Sequence, residues 1–220
     1  MPSILIADDH PLFRAALRSA ALAAFADAQV SEAADLATAL ALLERDPDTD
    51  LVLLDLHMSD SRGLAGLIAV RTQFPGVAVL VVSAHDDAAV VRRTLDHGAA
   101  GFIPKSAPPE EIGTAIAAVL ACGRWIPPRL SSAVAATRSD PDDRELAMRL
   151  ATLTGQQFRV LALVAEGRLN KQIADDLRIQ ERTVKAHVSA IFEKLGVRNR
   201  TQAGMLLGRL ELGAPWRETV

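Results

Sequence analysis

From residue 3 to residue 121 the chain repeats one pattern five times: a short strand-like run, then a longer stretch with apolar residues at helical spacing. Parallel βα units look like this in sequence, because each strand needs a crossover helix to bring the chain back in the same direction. The spacing predicts strands at 3–7, 29–33, 51–54, 77–83 and 101–104, and helices at 11–26, 36–46, 63–73, 87–97 and 108–121. Punctuation agrees with the periodicity. Asp35 can cap the second helix, Gly98 can end the fourth, and Pro108-Pro109-Glu110-Glu111 suits the first turn of the fifth. The expected fold of this part is α/β, a five-stranded doubly wound parallel sheet in the order 2-1-3-4-5.

Past Gly123 the pattern loosens. Trp125-Ile126-Pro127-Pro128 cannot continue a helix, and Arg138-Ser139-Asp140-Pro141-Asp142-Asp143 is polar and turn-rich. This stretch reads as a linker with at most a helix at 143–152. From Thr154 onward no strand pattern remains. Helices are expected at 155–166, 171–177, 181–195 and 201–209, with Gly167 and Gly196 placed for helix ends. The chain thus divides into an α/β domain at 1–123, a linker at 124–152, a small all-α four-helix domain at 153–212 and a tail at 213–220.

Residues 1–130 hold 10 Lys+Arg and 16 Asp+Glu, whereas residues 154–209 hold 10 and 5. A net charge of −3 therefore hides an acidic half suited to a cation and a basic end suited to a polyanion. The single cysteine, Cys122, excludes an internal disulfide and fits a reducing, cytoplasmic setting. Apolar runs are broken too soon to span a bilayer, and the N-terminus meets Asp8-Asp9 without a basic start, so neither a membrane segment nor a secretory leader is expected.

In an open parallel sheet, chemistry gathers where the carboxyl ends of the strands meet the loops. Four of the five strands end in a reactive side chain: Asp8 and Asp9 after the first, Asp55 after the third, Ser83 at the fourth and Lys105 after the fifth. In the expected strand order these four are contiguous. Three converging carboxylates raise one another's pKa values unless a cation lies among them, and all-oxygen ligands suit Mg²⁺ or Mn²⁺. Lys105 adds a point charge, and Ser83 a hydroxyl able to hydrogen-bond a phosphoryl oxygen. Formation of an aspartyl phosphate needs such a set, since catalysis of that step is mostly positioning and charge neutralisation. Taken singly, each residue has a plainer reading: Asp8-Asp9 as a helix cap before Pro11, Asp55 as a turn residue, Lys105 as a solvated loop lysine. His57 and His85 read as loop residues, and Cys122 as a small packing residue.

In this order over residues 3–121, Asp8-Asp9, Asp55, Ser83-Ala84 and Lys105 resemble the acid pair, phosphoacceptor, switch hydroxyl and lysine of the receiver domain of two-component response regulators. The resemblance implies phosphorylation of Asp55 and a metal held by Asp8, Asp9, Asp55 and the backbone carbonyl of His57. It also implies a switch in which Phe102 follows Ser83 and Lys105. Ser59 stands where many members have proline, and Ser106 follows Lys105 where proline is common.

In the basic end, Val184, Val188, Ile191 and Leu195 form an inward stripe, leaving Arg182, Lys185, Ala186, Ser189 and Glu193 outward. Basic and small side chains on an exposed helix can approach a major groove, with Lys185 and Ser189 best placed for base edges and Ala186 beside them. The shorter helix before it and the turn Arg178-Ile179-Gln180 complete a helix-turn-helix. The runs Leu153-Thr154, Val160 to Gly167, Asn170 to Ala174, Thr183 to Val188 and Lys194 to Ala203 resemble the LuxR-type DNA-binding domain. With the receiver, the whole is similar to the NarL/FixJ class. That resemblance implies phosphate contacts by Asn170, Lys171, Arg200 and Thr201, and base reading by Lys185 and neighbours such as Thr183. Gly155-Gln156-Gln157 replaces the family's usual Arg-Glu pair, which puts an ion pair there in doubt.

The resulting expectation is a DNA-binding transcriptional regulator, not an enzyme beyond slow self-phosphorylation and self-dephosphorylation. Its partners would be a sensor histidine kinase, promoter DNA and a second copy of itself. Two alternatives stay open: an aspartyl-phosphate phosphatase, although Leu56-His57 leave no acid at the Asp-x-Asp spacing, and a phosphorylation-independent DNA-binding protein with a vestigial receiver.

Overall fold

The computed structural model describes residues 1–211; the expected tail at 213–220 lies outside them. Strands β1 (Ser3–Ala7), β2 (Gln29–Ala33), β3 (Leu51–Asp55), β6 (Ala78–Ser83) and β7 (Gly101–Pro104) form a single sheet, with β4 (His57–Met58) and β5 (Ser61–Arg62) making a separate small hairpin. Helices α1 (Pro11–Ala24), α2 (Leu36–Arg45), α3 (Ala65–Gln73), α4 (Ala88–Asp96) and α5 (Pro109–Leu120) fill the connections. The sheet runs β2-β1-β3-β6-β7 with every neighbouring pair parallel, which is the expected 2-1-3-4-5 order.

Both faces of this sheet are covered, so the central strands are apolar throughout instead of alternating. Side chains still alternate between two cores, because successive residues of a strand point to opposite faces. Leu5, Val52, Leu54, Val79 and Val81 pack under α2, α3 and α4, whereas Ile4, Ile6, Leu51, Leu53, Leu80 and Val82 pack under α1 and α5. On α1 and α5 the buried residues mix large side chains, Leu17, Ile112, Ile116 and Val119, with Ala20, Ala21 and Ala115, small residues that let the two helices lie close to each other. The edge strand β2 keeps Gln29, Ser31 and Glu32 exposed, a polar edge that discourages pairing with another chain.

Local signals act as their chemistry requires. The Asp35 carboxylate accepts the Thr38 N–H at 2.7 Å, and Asp60, held by the β4–β5 hairpin, accepts the N–H groups of Leu36 and Ala37 at 2.9 Å each. Three of the four orphan donors at the start of α2 are satisfied this way. Gly98 adopts φ +90° just after α4, and Gly167 and Gly196 adopt φ +83° and +67° after later helices.

The remaining helices are α6 (Pro128–Ala136), α7 (Pro141–Ala151), α8 (Gly155–Ala165), α9 (Asn170–Leu177), α10 (Glu181–Leu195) and α11 (Arg200–Gly208). One element here was not expected from sequence, and another starts earlier than expected. Pro127-Pro128 opens α6 instead of leaving an irregular stretch, since proline at the first helical position loses no hydrogen bond. α7 begins at Pro141, capped by Asp140, so it starts before the helix expected at 143. The linker therefore folds, and Val134, Leu146 and Leu150 are buried in the same continuous core as α3 and α4. That core runs on through Phe158, Leu161, Ile173, Val184, Ile191 and Leu195, the interior of the four-helix end. α8 rests on α3, where Arg159 donates to Gln73 Oε1 at 2.8 Å and pairs with Glu44. No helix of the described residues is long and apolar enough to cross a membrane.

Leu53 sits at the centre of β3 with no solvent exposure. Leu53→Ala is expected to lower the free energy of unfolding by about 2–5 kcal/mol, the range for truncating a well-packed core leucine, read from the midpoint of urea denaturation followed by circular dichroism.

Candidate functional site

At the carboxyl end of the sheet the first, third and fifth strands in chain order bring three groups to one point. Asp8 follows β1 and is wholly buried; its Oδ1 accepts the His10 N–H at 2.7 Å. Asp55 ends β3 and is 3 % exposed, with Oδ1 accepting the His57 N–H at 3.1 Å. Lys105 follows β7, and its Nζ lies 2.8 Å from Asp8 Oδ2 and 2.8 Å from Asp55 Oδ2. The lysine is held in place at both ends: its N–H donates to the Ser83 carbonyl at 2.8 Å, and its ammonium lies 5.0 Å from the centre of the Phe13 ring.

One cation thus serves two buried carboxylates, with Asp9 close by. Burial pushes the Asp55 carboxyl up from its ordinary value, and the Asp8 charge adds to this, against the downward pull of Lys105 and the His57 N–H. Burial works to depress the Lys105 ammonium, but its hydrogen bonds to Asp55 and Asp8 outweigh it, so its pKa rises. The two directions agree, because a lysine shared between two acids gains from both while returning only part to each. Oδ2 of Asp8 and Oδ1 of Asp9 are buried, and each faces a nitrogen of a charged or titratable neighbour, Lys105 Nζ at 2.8 Å and His10 Nδ1 at 2.7 Å. Single ligand atoms of Asp8, Asp9, His10 and Asp55 all lie within 4.8 Å of one another, a donor set rich in oxygen that fits a hard divalent cation.

His10 is the member that sequence reasoning missed. Its Nδ1 lies 2.7 Å from Asp9 Oδ1, 3.3 Å from Asp8 Oδ1 and 4.0 Å from Asp55 Oδ2. Its position directly after the acid pair, at the N-cap of α1, was the available signal. A cavity of about 500 Å³ opens over the cluster, lined among others by His10, Phe13, Asp55, His57, His85 and Lys105. The rings of His57 and His85 face each other with centroids 5.0 Å apart. Burial lowers the His57 pKa against the upward pull of the Asp55 charge, and the neighbouring His85 and Lys105 work in the same direction as burial.

Ser83 and Phe102 sit further in. Ser83 ends β6 with no exposure, and its Oγ accepts the His85 N–H at 3.1 Å. Phe102, in β7, is fully buried, and its N–H donates to the Trp125 carbonyl at 3.0 Å. The structure therefore gathers Asp8, Asp9, Asp55 and Lys105 at one point and leaves Ser83 and Phe102 on the neighbouring strands β6 and β7.

The basic end presents a second surface. Val184, Ile191 and Leu195 of α10 are buried and Val188 half-buried, so the opposite face looks outward: Arg182, Lys185, Ala186 and Ser189 are exposed, and Thr183 is half-buried. Lys185 pairs with Glu181 at 2.9 Å, one helical turn away. The Arg178 turn adopts φ 53°, ψ 43° and closes α9 against α10. Arg200 donates to Asn170 Oδ1 at 3.0 Å and to the Arg168 carbonyl, tying the start of α11 to the start of α9. Lys171 and Thr201 are exposed beside them. Gln157, at the departure from the usual pair, completes a capping box with Thr154 and accepts from Lys194 Nζ at 2.7 Å. A hydrogen bond thus links α8 to α10 where an ion pair was in doubt.

Comparison with known proteins places these two surfaces in context. Residues 4–117 match the response regulator receiver domain, and residues 151–207 match the bacterial regulatory proteins of the luxR family. A glycerol metabolism activator of Pseudomonas putida is 43% identical over 217 residues, covering 97% of this chain and 98% of that protein. The nitrate/nitrite response regulator NarP of Escherichia coli is 33% identical over 208 residues, covering 92% and 93%. RcsB of Salmonella enterica serovar Typhimurium, solved on promoter P1flhDC with the phosphomimetic BeF3-, has a TM-score of 0.54 at 25% identity, covering 94% of this chain and 97% of that one.

An upward-shifted buried carboxyl favours the folded state below its unfolded pKa, and that advantage is lost as pH rises through the folded value. Asp55→Asn, which cannot ionise, is therefore expected to gain stability over the native chain between pH 4 and pH 7 in chelator-treated buffer. Urea midpoints at a series of pH values check this; a difference independent of pH would show that Asp55 is not strained by its charge.

Proposed function

Because the chain belongs to the NarL/FixJ class of two-component response regulators, with a receiver and a LuxR-type DNA-binding domain, we propose that Asp55 is its phosphoacceptor and that phosphorylation promotes dimerisation and promoter binding. The observation that carries this is the Lys105 ammonium 2.8 Å from both Asp8 and Asp55 at the mouth of an open cavity. We assign the receiver to 1–123, the linker to 124–152, the DNA-binding domain to 153–212 and a tail to 213–220.

In the proposed reaction, an Asp55 carboxylate oxygen attacks phosphorus of a phosphohistidine on the sensor kinase. The P–N bond breaks, an acyl phosphate forms, and the imidazole leaves and takes up a proton from solvent. Asp55 stands ready as the nucleophile because burial leaves its charge poorly solvated, while Lys105 meets the charge on the phosphoryl oxygens. Asp8, Asp9, Asp55 and the His57 carbonyl would hold Mg²⁺ or Mn²⁺, which when bound adds Lewis-acid neutralisation of those oxygens. Ser83 is the switch hydroxyl, and Phe102 responds beside it. Water can reach the same acyl phosphate through the cavity, so slow self-dephosphorylation is expected without making the chain a phosphatase in the ordinary sense.

For DNA, the exposed face of α10 supports base reading by Arg182, Thr183, Lys185, Ala186 and Ser189. Asn170, Lys171, Arg200 and Thr201 are suited to phosphates at the mouths of α9 and α11. The structure of two RcsB dimers bound to two parallel DNAs is the comparison that supports a dimeric bound form.

Incubation with a small acyl-phosphate donor and Mg²⁺ is expected to add one phosphoryl group, seen by intact-mass spectrometry, and Asp55→Ala to abolish it; labelling of the variant would overturn the assignment. Omission of the divalent cation should have nearly the same effect as the substitution. On a selected promoter duplex, Lys185→Ala should weaken binding by about 10–100-fold and relax sequence preference, as expected for loss of a base-edge contact worth about 1–3 kcal/mol. Arg200→Ala should instead weaken all duplexes alike and reduce the logarithmic salt slope by about one.

A further inference from the structure

The strand register that builds the acidic site also brings two histidines face to face beside it. Asp55 closes β3 opposite Val82 of β6, so Ser83 lies one step further along the neighbouring strand. His57 and His85 each follow two residues after one of these side chains, and each is tied back to it. The His57 N–H donates to Asp55 Oδ1 at 3.1 Å, and the His85 N–H donates to Ser83 Oγ at 3.1 Å. His57 is held a second time by the β4–β5 hairpin, where it stands opposite Arg62. With both backbones anchored, the two ring centroids lie 5.0 Å apart with their planes inclined by 43°.

Read from sequence, each is a loop histidine, and Mg²⁺ has no use for either because it prefers oxygen. Their placement together changes that reading. Both line the cavity over Asp55, His85 exposed and His57 half-buried. Among the described residues neither ring has a hydrogen-bond or ion-pair partner, whereas His10 is engaged by Asp8 and Asp9 and His97 by Asp143.

The spacing is that of two imidazoles on one metal ion. With Zn–N bonds of about 2.0–2.1 Å and tetrahedral angles, two coordinated rings hold their centres about 5 Å apart. Imidazole nitrogen suits Zn²⁺, Cu²⁺ and Ni²⁺, whereas carboxylate oxygen suits Mg²⁺ and Mn²⁺, so one cavity offers two donor sets of different preference. Charge permits a cation at each. Asp8, Asp9 and Asp55 carry three negative charges against the one positive charge of Lys105, and a divalent ion among the acids brings the sum to zero. Nothing is then left to repel a second ion at the histidines. Two protein nitrogens leave the other positions of that ion open to water or to a phosphoryl oxygen.

We propose that His57 and His85 form a second metal site in the cavity, selective for a nitrogen-seeking transition-metal ion of the Zn²⁺ kind, and that its occupancy obstructs phosphoryl transfer to Asp55. The acid cluster takes the hard cation that assists the transfer, and the histidine pair takes one that hinders it. The obstruction rests on Asp55 being the phosphoacceptor; binding at the histidine pair does not.

Calorimetric titration of Zn²⁺ into the full chain near neutral pH, with Mg²⁺ saturating, tests the site. One Zn²⁺ should bind at the pair, and His57→Ala or His85→Ala should weaken that binding by at least about tenfold, since even the outer partners of a metal ligand contribute that much. Asp9→Asn and His10→Ala, which alter only the acid cluster, should keep it. In ¹⁵N spectra of the native chain, Zn²⁺ should move the ring resonances of His57 and His85 before those of His10. Binding that survives both histidine changes, or that is lost with Asp9 or His10 instead, would put the ion in the acid cluster and overturn the proposal, as would ring shifts confined to His10. With acyl-phosphate donor and Mg²⁺, added Zn²⁺ should slow the mass gain of the native chain severalfold and leave His85→Ala at its own zinc-free rate; equal slowing of both would overturn the obstruction. No mass gain in zinc-free native protein would instead sink the phosphoacceptor reading, which the calorimetry does not touch.

Discussion

A single ammonium group shared by two buried carboxylates organises this molecule. Lys105 reaches Asp8 and Asp55 only if the strands that carry them stand in the right order and register, since each side chain projects from the end of its own strand. Because side chains alternate at every residue, a slip of one position in β3 would turn Asp55 from the loops toward a core and bring an apolar neighbour to the site. The apolar strands thus do more than fill the interior. They fix where the charges end, and the charges are then short of one positive partner, an imbalance that phosphoryl and metal chemistry can use.

Most of this was legible in the sequence because it depends on local periodicity and on which residue closes each strand. The five strand-like runs, the helix caps and the convergence of Asp8, Asp9, Asp55 and Lys105 all follow from short-range signals plus one topological rule. His10 escaped because a histidine beside an acid pair has several uses, and only the start of α1 decides that its ring turns back over the carboxylates. The β4–β5 hairpin escaped because a two-residue strand has no period to detect, although Asp60 at its tip joins Asp35 in capping the start of α2.

The linker shows a different limit. Proline is read as the end of a helix, and Pro127-Pro128 could equally begin one; which occurs depends on whether the following turn has something to pack on. Here it does, because α4 offers an apolar strip flanked by Asp86, Arg92 and Arg93. Those partners lie about forty to fifty residues from Arg129, Ser139 and Asp143 in sequence, and no local pattern links them. The same holds for Arg159 and Gln73, which face each other only because the four-helix end settles on α3.

The two kinds of contact differ in firmness. Within the sheet the packing is apolar and close, and such interiors have few alternative arrangements, so the geometry of the site is firmly held. Between α4 and the linker an apolar contact is flanked by ion pairs and hydrogen bonds that water can replace. Ion pairs such as Asp86 with Arg129, about half exposed on the arginine side, contribute little net stability each, so a local movement can tip them. Arg93 with Asp143 is better shielded; burial works to raise the Asp143 carboxyl, but the hydrogen bonds and charges of His97 and Arg93 outweigh it and hold that carboxyl well below the usual carboxylate range.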